Sequence, residues 1–404
     1  MITQCVILLG GKGTRLGSIT EDFPKPMLDV GGKPFAEYLI DISIRHGIND
    51  FLLLAGHSSE IVTNYFKEYK GSRDNLKLNI IVEKYPLGTG GALVNAYDAL
   101  EDTFLLLNGD SIIDGNWSEL ANNFSEDIDI CIGLTNINNT ERYGSVTLEG
   151  ERVISFKEKR KVKVNYNNNL INAGIYIVRK RILKNIEVKN FSFEEDILMK
   201  NLTNLNITGK VIKGYFIDIG LPETLKEAYS IKWIKNKKAI IFDRDGTLNI
   251  DNGYTNKVSD LVWVDGAKDL IKEFNDKNIY VFVATNQAGI GKGIFTENNM
   301  QKFHLAMQNE LQQAGAHIDK FYFCPFHVDS VIEKYKIDAK CRKPNTGMLE
   351  NITLDWGINK ENMILIGDRD TDINCAKNFN IKSIKYNGLD KISNLSDNIN
   401  KFFG

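Results

Sequence analysis

The run LLGGKGTRLGSITEDFPKPM, Leu8 to Met27, decides how the first half of the chain is read. The apolar stretch Cys5 to Leu9 predicts a buried strand that opens into a loop with Gly10, Gly11 and Gly13, followed by Thr14, Arg15 and then Lys25. Glycines let backbone N–H groups approach phosphate oxygens with no side chain in the way. Arg15 and Lys25 can then neutralise a polyphosphate. No Gly-Lys-Ser/Thr closes the loop, so it is not a Walker A loop, and Leu16 stands where a dinucleotide fingerprint needs its third glycine. The glycines by themselves fit an ordinary strand-to-helix turn. The Thr-Arg-Leu and Pro-Lys-Pro-Met around them set the stretch apart.

Outward from this loop the chain reads as soluble α/β protein. Its 404 residues exceed one typical core and predict two domains. A net charge of −2 with both signs interspersed suggests neither a nucleic-acid nor a membrane-surface binder. No apolar run reaches a membrane span, no signal peptide is visible, and five scattered cysteines suit a reducing cytoplasm. A homo-oligomer is compatible with all of this. Cys5–Leu9, Phe51–Ala55, Leu78–Val82 and Phe104–Leu107 are expected strands, and Phe35–His46, Ser59–Tyr69 and Gly91–Leu100 the helices between them. That alternation predicts a parallel sheet with ligands at one edge.

The glycine loop and its Pro-Lys-Pro-Met resemble the sugar-1-phosphate nucleotidyltransferases, and further motifs continue the resemblance. Leu87-Gly-Thr-Gly-Gly-Ala92 opens a helix; a turn with Thr89 as N-cap competes with a second nucleotide loop at Gly88 and Thr89. The resemblance lays this loop against base and ribose, with Leu9 and Glu83 as further nucleotide contacts. Asp110 ends the strand Phe104–Leu107, and Asp218 lies in Tyr215-Phe-Ile-Asp-Ile-Gly220; each by itself fits a turn residue, and together they match a Mg²⁺ pair. Phe156-Lys-Glu-Lys159 and Asn172-Ala-Gly-Ile-Tyr176 resemble sugar-binding segments, which implies Glu158, Asn172 and Gly174 at the hydroxyls and Lys159 at the sugar phosphate. Plain strand alternation would also produce Glu158 and Lys159. The implied reaction is in-line attack of a sugar 1-phosphate on the α-phosphorus of an NTP, with Lys25 at the attacking phosphate and Arg15 at the leaving pyrophosphate. An ionised phosphate needs no general base.

A Lys/Glu-rich helix, Leu221 to Lys235, precedes a new buried strand, Ala239–Phe242, and the boundary falls near residues 233–238. Beyond it, Asp243-Arg-Asp-Gly-Thr-Leu248 places two carboxylates on one side of a strand end. Thr285-Asn286-Gln287 follows the strand Val281–Ala284, Arg342-Lys343-Pro344 supplies cations, and Gly367-Asp-Arg-Asp-Thr-Asp372 ends another strand. In this order the four motifs resemble the haloacid dehalogenase-like phosphatases. The implied mechanism has Asp243 as nucleophile and Asp245 as general acid and base. Thr285, Asn286, Arg342 and Lys343 would meet the phosphate, and Asp243, the Asp245 carbonyl and Asp368 would hold Mg²⁺, with Asp372 supporting the metal shell or Lys343.

The finer pattern resembles the heptose bisphosphate and histidinol phosphate phosphatase branch, whose zinc loop is incomplete here. Phe326 replaces a His and Ala339 a Cys, leaving Cys324, Cys341 and His327, so zinc is not expected and packing around Phe326 is. The first half most resembles the D-glycero-D-manno-heptose-1-phosphate guanylyltransferases. Together the resemblances imply two Rossmann-like three-layer domains: a nucleotidyltransferase (glycosyltransferase-A-like) domain at 1–232 and a haloacid dehalogenase-like domain at 237–404. They also imply GTP and a heptose as substrates.

Overall fold

The computed structural model describes the chain except residues 1, 12–15, 18–19, 21–22, 72–75, 123, 138–144, 158–169 and 231–236. Gly13, Thr14, Arg15, Glu158 and Lys159 therefore lie outside the described residues. The chain divides into two compact units, Met1–Ile231 and Lys232–Gly404.

In the first unit, β1 (Gln4–Leu8), β2 (Asp50–Ala55), β3 (Lys77–Val82) and β4 (Thr103–Asn108) lie side by side in the order β3-β2-β1-β4, all parallel. Alternate residues serve opposite faces. Val6, Leu52 and Leu106 join one core, while Cys5 faces α1 (Phe35–Arg45), where Ser43 Oγ lies 3.6 Å from its sulfur. α2 (Ser59–Gly71) connects β2 to β3, and α3 (Gly88–Asn95) leads back towards β4.

The expected parallel sheet holds for this half only. β4 is followed by β5 (Ser111–Gly115), β6 (Ile130–Asn136), β7 (Ser145–Glu149), β8 (Arg152–Lys157), β9 (Leu170–Arg179), β10 (Ile207–Val211) and β11 (Gly214–Asp218). β9 inserts between β4 and β6, antiparallel to both, so the nine-stranded sheet is mixed. β5 and β11 form a separate antiparallel pair in which Asp218 faces Ser111, the residue after Asp110.

The helix expected at Gly91–Leu100 is α3, beginning at Gly88 and ending at Asn95, with a 3₁₀ turn at Tyr97–Ala99. Its glycines belong to the helix because neighbours press on it: a Cβ at Gly90 would strike the Phe191 ring, and one at Gly91 the Lys189 carbonyl. The helix after β11 covers Pro222–Tyr229; residues 231–235 of the expected Leu221–Lys235 lie outside the described residues.

In the second unit, β12 (Ala239–Phe242), β13 (Tyr280–Asn286), β14 (Lys320–Cys324), β15 (Met363–Gly367) and β16 (Lys382–Lys385) form a parallel sheet in the order β14-β13-β12-β15-β16. Ile240 and Phe242 pack on one side with Leu270, Phe274, Phe303 and Met307 of two helices, Ala267–Asp276 and Glu297–Gln313. Ala239 and Ile241 pack on the other with Leu349 and Ile352 of Gly347–Trp356 and with Ala376 of Asp370–Phe379. Helix, sheet and helix layers follow from that alternation. The C-terminal ends of β12, β13 and β15 present Asp243, Thr285 with Asn286, and Asp368 on one edge.

Candidate active sites

A cavity of about 580 Å³ opens at the C-terminal edge of β1–β4. Its wall includes Gly10, Gly11, Lys25, Glu83, Gly88, Thr89 and Asp110. Leu9 is a correction: it is wholly buried and donates its N–H to the Leu54 carbonyl at 2.8 Å, and Leu8 stands on the wall instead. The Glu83 carboxyl lies across the loops after β1 and β2, so tightly that a Cβ at Gly10 or Gly56 would collide with Oε1. Oε2 accepts the Leu87 N–H at 2.7 Å, and burial raises the Glu83 pKa.

Lys25 is almost wholly buried and pairs with Asp110 at 2.5 Å. Ser111 Oγ lies 3.1 Å from Asp110 Oδ1 and 3.5 Å from Asp218 Oδ2, so one hydroxyl spans both carboxylates. A Cβ at Gly220 would come within 2.6 Å of Asp218 Oδ1 and 3.2 Å of Lys25 Nζ. The antiparallel pair β5–β11 thus gathers two acids and a cation expected from distant motifs. Carboxylates in that setting offer a hard cation oxygen ligands.

Thr89 is not an N-cap; Leu87 holds that position, because Gly88, at φ +68°, already turns the chain into the helix. Its hydroxyl instead donates to Glu194 Oε2 at 2.9 Å and accepts the Phe193 N–H at 2.8 Å. Asn172 and Gly174 are not on the described cavity wall. Asn172 Nδ2 donates to the Tyr176 hydroxyl at 2.6 Å, Oδ1 accepts the Gly174 N–H at 3.0 Å, and Tyr176 lies 3.5 Å from Glu194 Oε1. Asn108 Nδ2 reaches the same Glu194 oxygen at 3.3 Å. Glu194 lines the cavity and joins the nucleotide loop to the Asn172 strand, a role sequence reasoning missed. The Ser-Phe-Glu-Glu-Asp run around it carries no phosphate or metal pattern, only an N-cap at Ser192.

In the second unit a cavity of about 360 Å³ is lined by Asp243, Asp245, Thr285, Arg342, Lys343 and Arg369, among others. Lys343, almost wholly buried, lies 2.8 Å from Asp243 Oδ1 and 2.6 Å from Asp372 Oδ1. Burial pushes the Asp243 pKa up to about 6 against the opposing pull of Lys343. For Lys343 the two carboxylates outweigh burial, so it holds its proton more firmly than usual. Asn286 is on the cavity wall as expected of a phosphate-site residue, and its side-chain amide donates to the Lys343 carbonyl and accepts the Lys343 N–H, both at 3.0 Å, which fixes the lysine's backbone. Thr285, nearly inaccessible, accepts from Gln287 Nε2 at 2.8 Å. Arg342 is half-buried with Nη1 3.5 Å from the Phe326 carbonyl.

Carboxylate oxygens of Asp243, Asp368 and Asp372 lie within 4.8 Å of one another, close enough to share a cation. The fit is sharpened by Gly246, where a Cβ would sit 2.5 Å from Asp368 Oδ2, so only glycine leaves that oxygen room. Thr247 Oγ1 steadies Asp368 Oδ1 at 3.2 Å. Asp372 is engaged on both oxygens, by Lys343 and by the Arg369 N–H at 3.0 Å, which suits support of the lysine.

Of the residues left from the incomplete zinc loop, Cys324 and Cys341 are paired as a disulfide with a Cα–Cα distance of 5.5 Å. The end of β14 meets the loop before Arg342 there. Phe326 packs edge-on against Tyr335, ring centroids 5.7 Å apart. Among the described residues no helix is long and apolar enough to cross a membrane.

One edge carrying a glycine loop, a buried lysine and two strand-end acids, and another carrying paired strand-end aspartates with a buried lysine, define phosphate chemistry in both units. The nucleotidyl transferase family profile matches residues 4–232, more than half the chain, and the protein belongs to that family. A HAD-hydrolase-like profile matches residues 340–388, and the second unit is a HAD-like phosphatase domain. The D-glycero-alpha-D-manno-heptose 1-phosphate guanylyltransferase of Campylobacter jejuni is 40% identical over 223 residues, which are 54% of this chain and 96% of that protein. The D-glycero-beta-D-manno-heptose-1,7-bisphosphate 7-phosphatase of Rhodopseudomonas palustris is 33% identical over 154 residues, 38% of this chain and 86% of that protein. Crystal structures of HddC from Yersinia pseudotuberculosis, free and complexed with GMP-PN, are 34% identical with a TM-score of 0.50 and cover 57% of this chain and 99% of theirs.

Proposed function

We propose that the protein carries out two consecutive steps on one sugar: removal of the 7-phosphate from D-glycero-D-manno-heptose 1,7-bisphosphate, then guanylyl transfer to the remaining heptose 1-phosphate. The observation that carries this reading is the fusion itself. One polypeptide joins a unit similar to a heptose 1-phosphate guanylyltransferase to a unit similar to a phosphatase that acts on the bisphosphate.

In the phosphatase step Asp243 attacks phosphorus and forms an aspartyl phosphate. The electron pair of the broken P–O bond passes to the sugar oxygen, which takes a proton from Asp245. Asp245 then accepts a proton from the water that releases phosphate. Lys343 and Arg342 offset the charge of the phosphoryl oxygens, and Thr285 orients them. Asp243, Asp368 and the Asp245 carbonyl would hold Mg²⁺, which supplies charge neutralisation between nucleophile and phosphate dianion.

In the transfer step the loop at Gly10, Gly11, Gly13 and Thr14 cradles the triphosphate, with Arg15 on the leaving pyrophosphate and Lys25 on the attacking phosphate. Asp110 and Asp218 would hold a second Mg²⁺, and Lys25 would exchange Asp110 for phosphate when substrate arrives. Glu158 and Lys159 would meet the sugar, and Asn172 with Gly174 would back that side through Tyr176 and Glu194. Glu83 supports GTP among the nucleotides. Guanine offers two adjacent N–H donors on its pairing edge, which a carboxylate accepts together.

The test gives the purified protein heptose 1,7-bisphosphate, Mg²⁺ and each NTP in turn, with mass spectrometry of the products. GDP-heptose is expected. Absence of any NDP-heptose from either anomer contradicts the reading; both anomers are needed because the two relatives' names specify opposite ones.

A further inference from the structure

Asp245, the acid and base of the phosphatase reading, is held by an unusual set of donors. Arg244, its neighbour in sequence, is inaccessible to solvent, yet its guanidinium folds back on the carboxylate. Nε donates to Oδ1 at 2.9 Å, and Nη2 lies 2.8 Å from both Oδ1 and Oδ2. The rest of the guanidinium is also engaged. Nη2 donates to the Thr255 carbonyl at 2.8 Å, Nη1 meets His304 Nε2 at 3.1 Å, and the plane lies 4.7 Å from the Phe303 ring centroid. His304 is nearly inaccessible and stacks on Phe321 at 4.2 Å; burial first, then Arg244, lowers its pKa well below the usual histidine value, so its ring accepts from Nη1.

Two amides complete the shell. Asn249 Nδ2 donates to Oδ1 at 3.1 Å and is wholly buried. Gln287 Nε2 donates to Oδ2 at 2.8 Å, and Gln287, unlike Arg244 and Asn249, stands on the cavity wall. Arg244 thus grips both carboxylate oxygens from behind, Asn249 adds a second anchor on Oδ1, and on the cavity wall the carboxylate is met by the Gln287 amide, which also serves Thr285.

We propose that Arg244 is a positioning residue for the phosphatase reaction, fixing the plane of Asp245 so that Oδ2 is the oxygen that exchanges the proton with substrate and water. Gln287 keeps the place of the substrate oxygen on Oδ2 until substrate displaces it. The proton ledger is that of the two steps above. Oδ2–H protonates the departing sugar oxygen as the P–O bond breaks, and the same oxygen takes a proton from water as the Asp243–phosphate bond breaks. A planar fork can impose this orientation; an ammonium, which has no plane, cannot. The inference rests on the reading of Asp243 and Asp245 as nucleophile and acid.

The test compares leaving groups on the full-length protein with Mg²⁺. Nitrophenolate departs without a proton, whereas a sugar oxygen needs one. Arg244→Lys is therefore expected to slow single-turnover phosphate transfer from heptose 1,7-bisphosphate by about 100-fold, within the usual span for a lost general acid. Single-turnover nitrophenolate release from p-nitrophenyl phosphate should stay within about threefold of the unaltered protein. Steady-state nitrophenolate release should nevertheless fall, because breakdown of the aspartyl phosphate still needs Asp245 as base. Asn249→Ala, which removes the other anchor of Oδ1, should show the same selectivity more weakly, about tenfold, and serves if the lysine variant does not fold. Equal losses on both substrates in single turnover, or no loss on either, would overturn the assignment. If the unaltered protein releases nitrophenolate but leaves the heptose bisphosphate untouched, the heptose reading fails; the comparison is then made with mannose 6-phosphate. Release from neither phosphate overturns the phosphatase reading and this inference with it.

Discussion

Replacing Lys343 by Met probes the centre of the phosphatase site. The lysine is 2% exposed and lies between Asp243 and Asp372, themselves 6% and 0% exposed. Ion pairs of 2.8 and 2.6 Å hold it there. Methionine fills similar volume but leaves two buried carboxylates facing each other without a cation. Breaking a buried pair from one side costs about 3–5 kcal/mol, most of it the penalty of the charge left behind. For a unit of this size each kcal/mol lowers the melting temperature by about 2–4 °C, so a drop of about 6–20 °C is expected. The double variant Lys343→Met/Asp372→Asn removes one of the stranded charges and should recover about 1–3 kcal/mol, a coupling typical of groups in one network. Scanning calorimetry on the full chain reads both, using the transition that does not shift with GTP. A loss below about 1 kcal/mol for Lys343→Met, or no recovery in the double variant, would refute the view that Lys343 balances both acids.

Three further outcomes follow from the two sites. Asp243→Asn should abolish phosphate release while leaving guanylyl transfer to supplied heptose 1-phosphate intact, measured as pyrophosphate produced; loss of both activities would contradict two independent sites. Without metal, burial raises the Asp243 pKa to about 6, and thermal melts of the full chain in chelator from about pH 4 to about pH 7 will register it. The native state holds the Asp243 proton longer than the unfolded chain, so stability from this group declines as pH climbs from the ordinary 3.8 to about 6. Gly220→Ala places a methyl 2.6 Å from Asp218 Oδ1 and 3.2 Å from Lys25 Nζ, and should cut guanylyl transfer at least about tenfold with little change in melting temperature.

Buried strands were legible because short apolar runs bounded by glycine and polar residues admit few other structures. Ala239–Phe242 matches its expected bounds, and Gln4–Leu8 differs from its expected span by one residue at each end. The motif residues at strand ends were legible for the same reason, since parallel strands deliver their C-terminal ends to one edge. The mixed half of the first sheet was not, because strand direction depends on partners far apart in sequence: β9 pairs with β4 and β6 across 34 to 76 residues. Glu194 and Arg244 escaped notice for a related reason. Each acts through tertiary neighbours, Thr89 and Asn108 for the first, His304 and Thr255 for the second, and no local pattern records those meetings. Arg244 sits inside the Asp-x-Asp motif, at the position the motif leaves free. Glu83 was placed by its proximity to the second glycine loop, but its packing across Gly10 and Gly56 is visible only in three dimensions.

The central claim is that the two units work on opposite ends of one sugar. Phosphorus NMR of the full-length protein with heptose 1,7-bisphosphate, GTP and Mg²⁺ tests it most directly. The account predicts that the C7 phosphate signal converts to inorganic phosphate before pyrophosphate and a nucleotide–sugar diester appear, with the Asp243→Asn protein stalled at the bisphosphate until heptose 1-phosphate is added. A diester that forms while the C7 phosphate remains in place, or phosphate release that leaves GTP untouched, would contradict it.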